Sequence, residues 1–308
     1  MLRVAHLLKP IATTFGRDSD WLTSPARTLS ATDSIILDIS RKHQYSCRNY
    51  RAQLAGTMPG SGLLRSSSRI GARLFSPFYR RFPYQGAMDI FKLDPRGAYS
   101  PLEPFFYNRV PKAANTSITQ TLFNHSAYRP GLARRDNPKY KFQRPIFLSP
   151  NQVHKLEYEA FKFTFVRNPY SRVLSAYLDK VGRRKHQGVR FLAWAEANSQ
   201  PASFLGFCRY LDAGGLFLDM HWAPQVEILC LPLECFDFIG RIESIDRDLN
   251  QVLQRVFKVQ LESPLPQTGR HHTQANQKLK EAYGMEERQI VNRLYATDFL
   301  KLGYPQDL

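Results

Sequence analysis

Acidic residues are scarce in this chain. There are 26 Asp and Glu against 43 Lys and Arg, a formal net charge of +17. A surface of that sign disfavours cationic partners and favours anionic ones, such as nucleotides, acidic glycans, nucleic acid or anionic lipid. The excess is uneven. Residues 1–87 hold 13 Lys and Arg but only 4 Asp and Glu. More than half of the excess charge therefore lies in a stretch without any sustained helical or strand period, and no nucleic-acid partner is expected. Cysteine is equally scarce. Cys47, Cys208, Cys230 and Cys235 include no C-x-x-C pair, which argues against a zinc site. Cys230 and Cys235 are near enough in sequence for a disulfide, and reduced, partly buried thiols account for them equally well. No run reaches the roughly 18 apolar residues that span a bilayer, so no transmembrane segment is expected. Met1 to Gly16 lacks the continuous apolar core of a signal peptide. These absences make a cytoplasmic protein the expectation. No internal repeat is present, and the Walker A pattern G-x-x-x-x-G-K-[ST] is missing.

What is there falls into two parts. Residues 1–87 are basic and rich in Ser and Arg, and are expected to be irregular. Residues 88–308 are expected to form one domain, and Met88 is a candidate internal start. From Phe105 the pattern is that of an α/β domain. Phe105 to Tyr107 and Val110 suggest a short strand, and Ser117 to Phe123 a helix. Phe161 to Val166, aromatic and β-branched, is a strong strand. Pro169 suits the first position of the next helix. Tyr170, Val173, Leu174, Tyr177, Leu178 and Val181 then repeat with helical spacing. Phe236 to Gly240 reads as another strand, Ile245 to Val256 as a helix, and Lys278 to Tyr295 as a last helix. Alternating strands and helices predict an α/β fold, a P-loop-like parallel sheet flanked by helices.

Two turns carry the chemistry. In the first, Arg109-Val110-Pro111-Lys112-Ala113-Ala114-Asn115-Thr116-Ser117, a strand ends and a helix begins. Small side chains at Ala113 and Ala114 let an anion approach the backbone, and the first N–H groups of a helix have no internal partners. Lys112 adds a full charge, and Thr116 and Ser117 add hydroxyls. An ordinary turn capped by Asn115 or Thr116 has the same local sequence. The second turn follows Val166. Arg167 stands at the strand's C-terminal end, where ligands gather in open α/β sheets, and a guanidinium there can grip a phosphate with two parallel hydrogen bonds. Ser175 and Arg172 lie off the apolar face, on the side expected to meet a ligand; taken alone, the segment reads more simply as Arg167 paired with a carboxylate and Ser175 as a surface serine.

The two turns together resemble the Golgi-type carbohydrate sulfotransferases, the group of the chondroitin, dermatan and HNK-1 sulfotransferases and, more distantly, heparan sulfate 2-O-sulfotransferase. Arg109 to Ser117 is similar to the family's R-V-P-K segment. Phe165, Val166, Arg167, Pro169, Arg172, Ser175, Ala176 and Tyr177 match its F-V-R-x-P-x-x-R-x-x-S-A-Y pattern at every fixed position. His221-Trp222, Leu229-Cys230, Asp237 to Gly240 and Glu243 agree with a third stretch. The resemblance implies a sulfotransferase domain over roughly 105–304. It also implies 3′-phosphoadenylyl sulfate (PAPS) as co-substrate without a metal, and a carbohydrate or other acidic, hydroxyl-bearing acceptor. In that family the first turn binds the 5′-phosphosulfate and the second the 3′-phosphate. Membrane association or a Golgi-lumenal place is the alternative to the cytoplasm if an anchor is supplied otherwise. Lys112 is then the residue to neutralise the leaving phosphate. A histidine suits the task of taking the acceptor's proton. His221 ranks first, in the family-like His-Trp step, His154 second, and His125 is a further candidate.

Arg134-Arg135 and Arg183-Arg184-Lys185-His186 are basic clusters, each a solvated loop or a guide for an acidic acceptor. His271-His272 reads as polar surface rather than a metal site. Two rival functions remain at this level: a P-loop-like small-molecule kinase, and a catalytically silent nucleotide- or glycan-binding protein.

Overall fold

The computed structural model describes residues 61–127, 142–260 and 278–308, with side chains from residue 68 onward. Residues 1–60, the Arg134-Arg135 and His271-His272 pairs and Cys47 lie outside the described residues. Within 61–87 the structure departs from the expected irregular segment. Ser61–Phe75 is helix α1 and Pro77–Arg81 is helix α2. The Ser76 hydroxyl accepts from the Tyr79 amide at 3.4 Å, which starts α2. Phe78 and Tyr79 are fully buried, and the Phe78 ring stacks on Phe106 of the sheet. The packed body therefore extends upstream of residue 88. Its periodicity is invisible in sequence because α2 spans only five residues and is fixed by a distant strand, not by local repetition. A chain begun at Met88 would lack these rings. Helix α3, Ile90–Leu93, follows, capped by Asp89.

Four strands form one sheet in the order β1 (Gly97–Ser100), β2 (Phe105–Asn108), β3 (Phe161–Val166) and β4 (Phe238–Arg241). The pairs β2–β3 and β3–β4 are parallel, as expected. Strand β1 is an antiparallel edge that the sequence did not announce, because Gly-Ala-Tyr-Ser is too short to show alternation. Side chains alternate across the sheet. Phe105, Tyr107, Phe163 and Phe165 share one face with Leu249, Val252 and Leu253. Phe106 turns to the other face, with Phe78, Leu93 and Val110. Gly240 sits where a Cβ would lie 2.5 Å from the Phe165 ring, so β4 can approach β3 only without a side chain there.

Helices cover both faces. Helix α4 is Asn115–His125, and α5 is Pro150–Tyr158, begun by a Ser149–Gln152 capping box. Helix α6 is Pro169–Lys180, with the Asn168 side chain accepting from the Tyr170 amide. Then come α7 (Val189–Ala197), α8 (Phe204–Asp212) and α9 (Ile245–Phe257). The expected single C-terminal helix is instead α10 (Leu279–Ala282), α11 (Met285–Leu294) and α12 (Ala296–Leu302). Tyr283 interrupts it by turning inward, where its hydroxyl donates to the Tyr170 carbonyl at 2.8 Å. Cys208, Cys230 and Cys235 are free thiols. Cys230 is buried, which pushes its thiol pKa up and keeps it protonated. Among the described residues no helix is long and apolar enough to cross a membrane.

Candidate active site

The two turns leave the C-terminal ends of adjacent parallel strands. Asn108 of β2 is in register with Thr164 of β3, and the Thr164 hydroxyl donates to the Asn108 carbonyl at 2.9 Å. Topology alone thus brings the two expected phosphate turns side by side.

The first turn is built on two left-handed residues, Lys112 at φ 69° and Ala114 at φ 47°. Neither is glycine, so each carries a steric cost that the surrounding packing must offset. Ala114 is the N-cap of α4 and makes no side-chain capping bond. Asn115 and Thr116 therefore do not cap the helix. The Asn115 side chain instead accepts from Thr119 at 3.1 Å. An uncapped helix start leaves the N–H groups of the first turn as an anion-facing array. Ala113 is buried, Thr116 exposed and Ser117 half-buried. Arg109 turns away from this space. It is 4% exposed, and its guanidinium donates to the Pro95 carbonyl.

Lys112 is the charged centre of the turn. Its ammonium lies 3.1 Å from Asp179 Oδ2, with both side chains nearly buried. Burial lowers its pKa to about 8 against the opposing pull of Asp179.

The second turn is pinned by side chains on three other elements. The Gln225 amide is reciprocal with Arg167, accepting from its N–H at 2.9 Å and donating to its carbonyl at 2.8 Å. Asp298 on α12 in turn accepts from the amides of Gln225 and Val226 at 2.7 and 3.0 Å. Glu243 accepts from the Asn168 amide at 2.8 Å. The Arg167 guanidinium donates to Ser171 Oγ at 2.9 Å and reaches the Lys112 carbonyl at 3.4 Å.

Arg172 does not occupy the ligand-facing side expected of it. Helix α6 is enclosed on nearly every side, and Arg172 is 0% exposed. Its guanidinium donates to three main-chain carbonyls, Pro111 at 3.0 Å, Ala223 at 2.8 Å and Met220 at 3.0 Å. It ties the first turn to the segment that carries His221. Ser175 is likewise buried, at 2% exposure. The sequence pattern marked both as polar positions, but an enclosed helix has no solvent-facing side for them.

His221 stands beside this assembly and is half-buried. Its Nδ1 is 2.6 Å from Asp219 Oδ1, and the same oxygen accepts from the His221 amide at 2.8 Å. Asp219 is held below its usual pKa, so the ionised carboxylate accepts a hydrogen bond from Nδ1–H, which keeps the proton on that nitrogen and leaves Nε2 as the basic one. Burial moves the His221 pKa below the ordinary histidine value, outweighing Asp219. The neighbouring Trp222 is buried and donates to the Gly215 carbonyl at 2.9 Å. The other two histidines are elsewhere. His154 is exposed on α5, its ring beside Tyr158, and His125 is exposed at the end of α4 near Phe257. Among the described residues, their ring contacts are to these aromatics and not to the two turns.

Asp179, Asp219, Gln225 and Asp298 were missed by sequence reasoning. Asp219 was the most accessible of them, since Asp-x-His is an Asx-turn spacing that can orient an imidazole. Among the described residues no group of three or more His, Cys, Asp or Glu side chains is arranged to hold a metal ion.

The sequence profile of the Sulfotransferase family matches residues 98–305, which take in all four strands except the first residue of β1. The chain belongs to the Sulfotransferase family. Within it the chain is similar to carbohydrate sulfotransferase 14 of Mus musculus, 36% identical over 126 residues that cover 36% of this chain and 33% of the relative. It is also similar to carbohydrate sulfotransferase 12 of Mus musculus, 31% identical over 170 residues covering 47% and 40%. Carbohydrate sulfotransferase 10 of Xenopus laevis is 28% identical over 233 residues covering 64% of each. The first of these matches spans only about a third of its relative's length. No solved structure matches significantly. The cytoplasmic expectation is overturned by these relatives: they are Golgi carbohydrate sulfotransferases, which act in the Golgi lumen. Charge and the lack of an apolar run say little about compartment, which is why the sequence misled on this point.

Proposed function

We propose that this sulfotransferase uses PAPS to move a sulfuryl group onto a hydroxyl of a carbohydrate acceptor. The observation that carries the reading is the pairing of the two turns on adjacent parallel strands, with the Lys112 side chain nearly buried in the first and Arg167 closing the second. The residues fit an anionic donor. The first turn has left-handed backbone, an uncapped helix start and an ammonium in low-dielectric surroundings.

The donor supplies an activated sulfuryl group, and the protein supplies positioning and charge. Lys112 and the N–H groups from Asn115 to Ser117 neutralise the leaving phosphate, with Pro111, Ala113 and Ala114 shaping the backbone around it. Arg167 holds the 3′-phosphate, and Ser175, two helical turns further along, is assigned to the same group. Arg109 and Arg172 leave the set of donor contacts and become braces, because their guanidinium groups are committed to main-chain carbonyls. His221 Nε2 takes the proton of the attacking hydroxyl, oriented by Asp219. The acceptor is a carbohydrate by the relatives' names, and the Golgi lumen is the expected place of action.

Family membership speaks against the kinase and the silent-binder readings. The test is transfer of labelled sulfuryl from PAPS to a glycan panel, alongside thermal stabilisation by adenosine 3′,5′-bisphosphate (PAP) and ATP. Sulfated product, and stabilisation by PAP alone, is the expected result. Stabilisation by ATP with no transfer would return the kinase reading.

A further inference from the structure

Lys180 is a buried cation that the chemistry above leaves unused. It ends α6 and is 7% exposed. Its ammonium lies 3.2 Å from Asp179 Oδ2, the oxygen that Lys112 also approaches at 3.1 Å. The other oxygen, Oδ1, is taken by Lys185 at 2.5 Å, with Arg183 at 3.9 Å. One carboxylate thus faces three close ammonium groups, two of them almost out of water. A buried charge without a counter-charge is costly. Among the described residues the ammonium groups at this point outnumber the carboxylate they share, which suits the cluster to a further anion.

The place for such an anion is bounded on two sides. Lys112 belongs to the donor turn. On the other side, the charge of Lys180 acts on both Asp219 and His221. Arg172 holds the carbonyls of Pro111, Met220 and Ala223 together, so the donor turn and the base segment are fixed neighbours. Lys180 therefore shares a carboxylate oxygen with the lysine assigned to the leaving phosphate, and its charge reaches the base assigned to the acceptor.

We propose that Lys180 is a second catalytic cation, touching the non-bridging oxygens of the sulfuryl group as it passes from donor to acceptor. This rests on the donor assignment above. In the step, the bond between sulfur and the phosphate oxygen breaks and its electron pair stays on the phosphate beside Lys112. The acceptor oxygen forms the new bond to sulfur, and its proton goes to His221. Lys180 gives up no proton in the step and neutralises charge on the three outer oxygens. Asp179 holds both ammonium groups at one point, which sets their separation.

The test separates this role from donor binding, because PAP lacks the sulfuryl group. Lys180→Met is expected to lower kcat by about 100-fold, the scale of one lost transition-state contact. Its affinity for PAP, measured by calorimetry, should stay within about twofold of wild type. Lys112→Met should weaken PAP binding as well as turnover. Lys180→Arg should restore part of kcat, since the charge is kept. The melting temperature of Lys180→Met should not fall, because removing one of two ammonium groups that share an oxygen relieves repulsion. A kcat within about threefold of wild type overturns the proposal. So does a loss of PAP affinity as large as the loss of kcat. Wild-type protein that neither binds PAP nor transfers sulfuryl overturns the donor assignment and this inference together.

Discussion

Arg172 offers the clearest test of how the site is held, because its expected and observed roles predict opposite outcomes. As a donor contact, its removal would weaken nucleotide binding and leave stability nearly untouched. In the structure its three donors serve the carbonyls of Pro111, Met220 and Ala223 at 2.8–3.0 Å, all at a fully buried position. Arg172→Ala leaves three buried acceptors without a donor, at about 1–3 kcal/mol each. Against this stands the desolvation of one guanidinium, which the mutant no longer has to offset and which amounts to several kcal/mol. The balance is a net loss of about 3 kcal/mol. For a folded body of this size each kcal/mol moves the melting point by about 2–4 °C, so a fall of about 6–12 °C is expected. Arg172→Lys should recover little, since a point ammonium cannot reach three carbonyls arranged around a planar fork. Scanning calorimetry measures the shift, and PAP titration well below the mutant's melting point measures the site. A melting point within about 2 °C of wild type, together with a collapse of PAP affinity, would refute the bracing role.

Three further outcomes follow from the same geometry. Lys112 must be charged to hold an anion, and its pKa of about 8 means that charge is lost as pH rises; PAP affinity should decline above about pH 8, a limb that Lys112→Arg should remove. His221 must be neutral to accept a proton, and burial holds its pKa below the usual histidine value, so kcat/KM should stay flat through neutral pH and fall only in acid. Asp219→Asn removes the group that raises that pKa, moving the acid limb lower still and reducing kcat, whereas His221→Ala should abolish turnover with PAP binding intact. Asp298→Ala strands the buried amide of Gln225, at about 1–3 kcal/mol, and the half-buried amide of Val226 at less; calorimetry should show the destabilisation, and PAP binding should weaken because Gln225 is the partner of Arg167.

The parts of the fold that were legible in the sequence are those that repeat locally. Strand β3 has the bounds its aromatic run indicated, and α6 begins at Pro169 as a helix-starting proline should. Lys112 and Arg167 fall together because chain order and parallel pairing place both at strand ends. What was illegible depends on distant contacts. Helix α2 exists because Phe78 meets Phe106, and the break at Tyr283 exists because its hydroxyl finds the Tyr170 carbonyl. Arg172 was given the wrong surroundings for the same reason: spacing reveals which side of a helix is apolar, but not that a second layer covers the polar side. Asp179 carries no sequence signal of its own, and Asp219 carries only its Asp-x-His spacing to His221.

The ties between the two turns have a consequence for how this chain can change. Arg167 and Arg172 both reach across to the first turn through carbonyl oxygens, those of Lys112 and Pro111. Every residue type offers a carbonyl. The spacing between the two turns is therefore insensitive to which side chains occupy the first one, provided the backbone keeps its left-handed path. The first turn can be rewritten to suit a different anion while the distance it must span stays set from the other side.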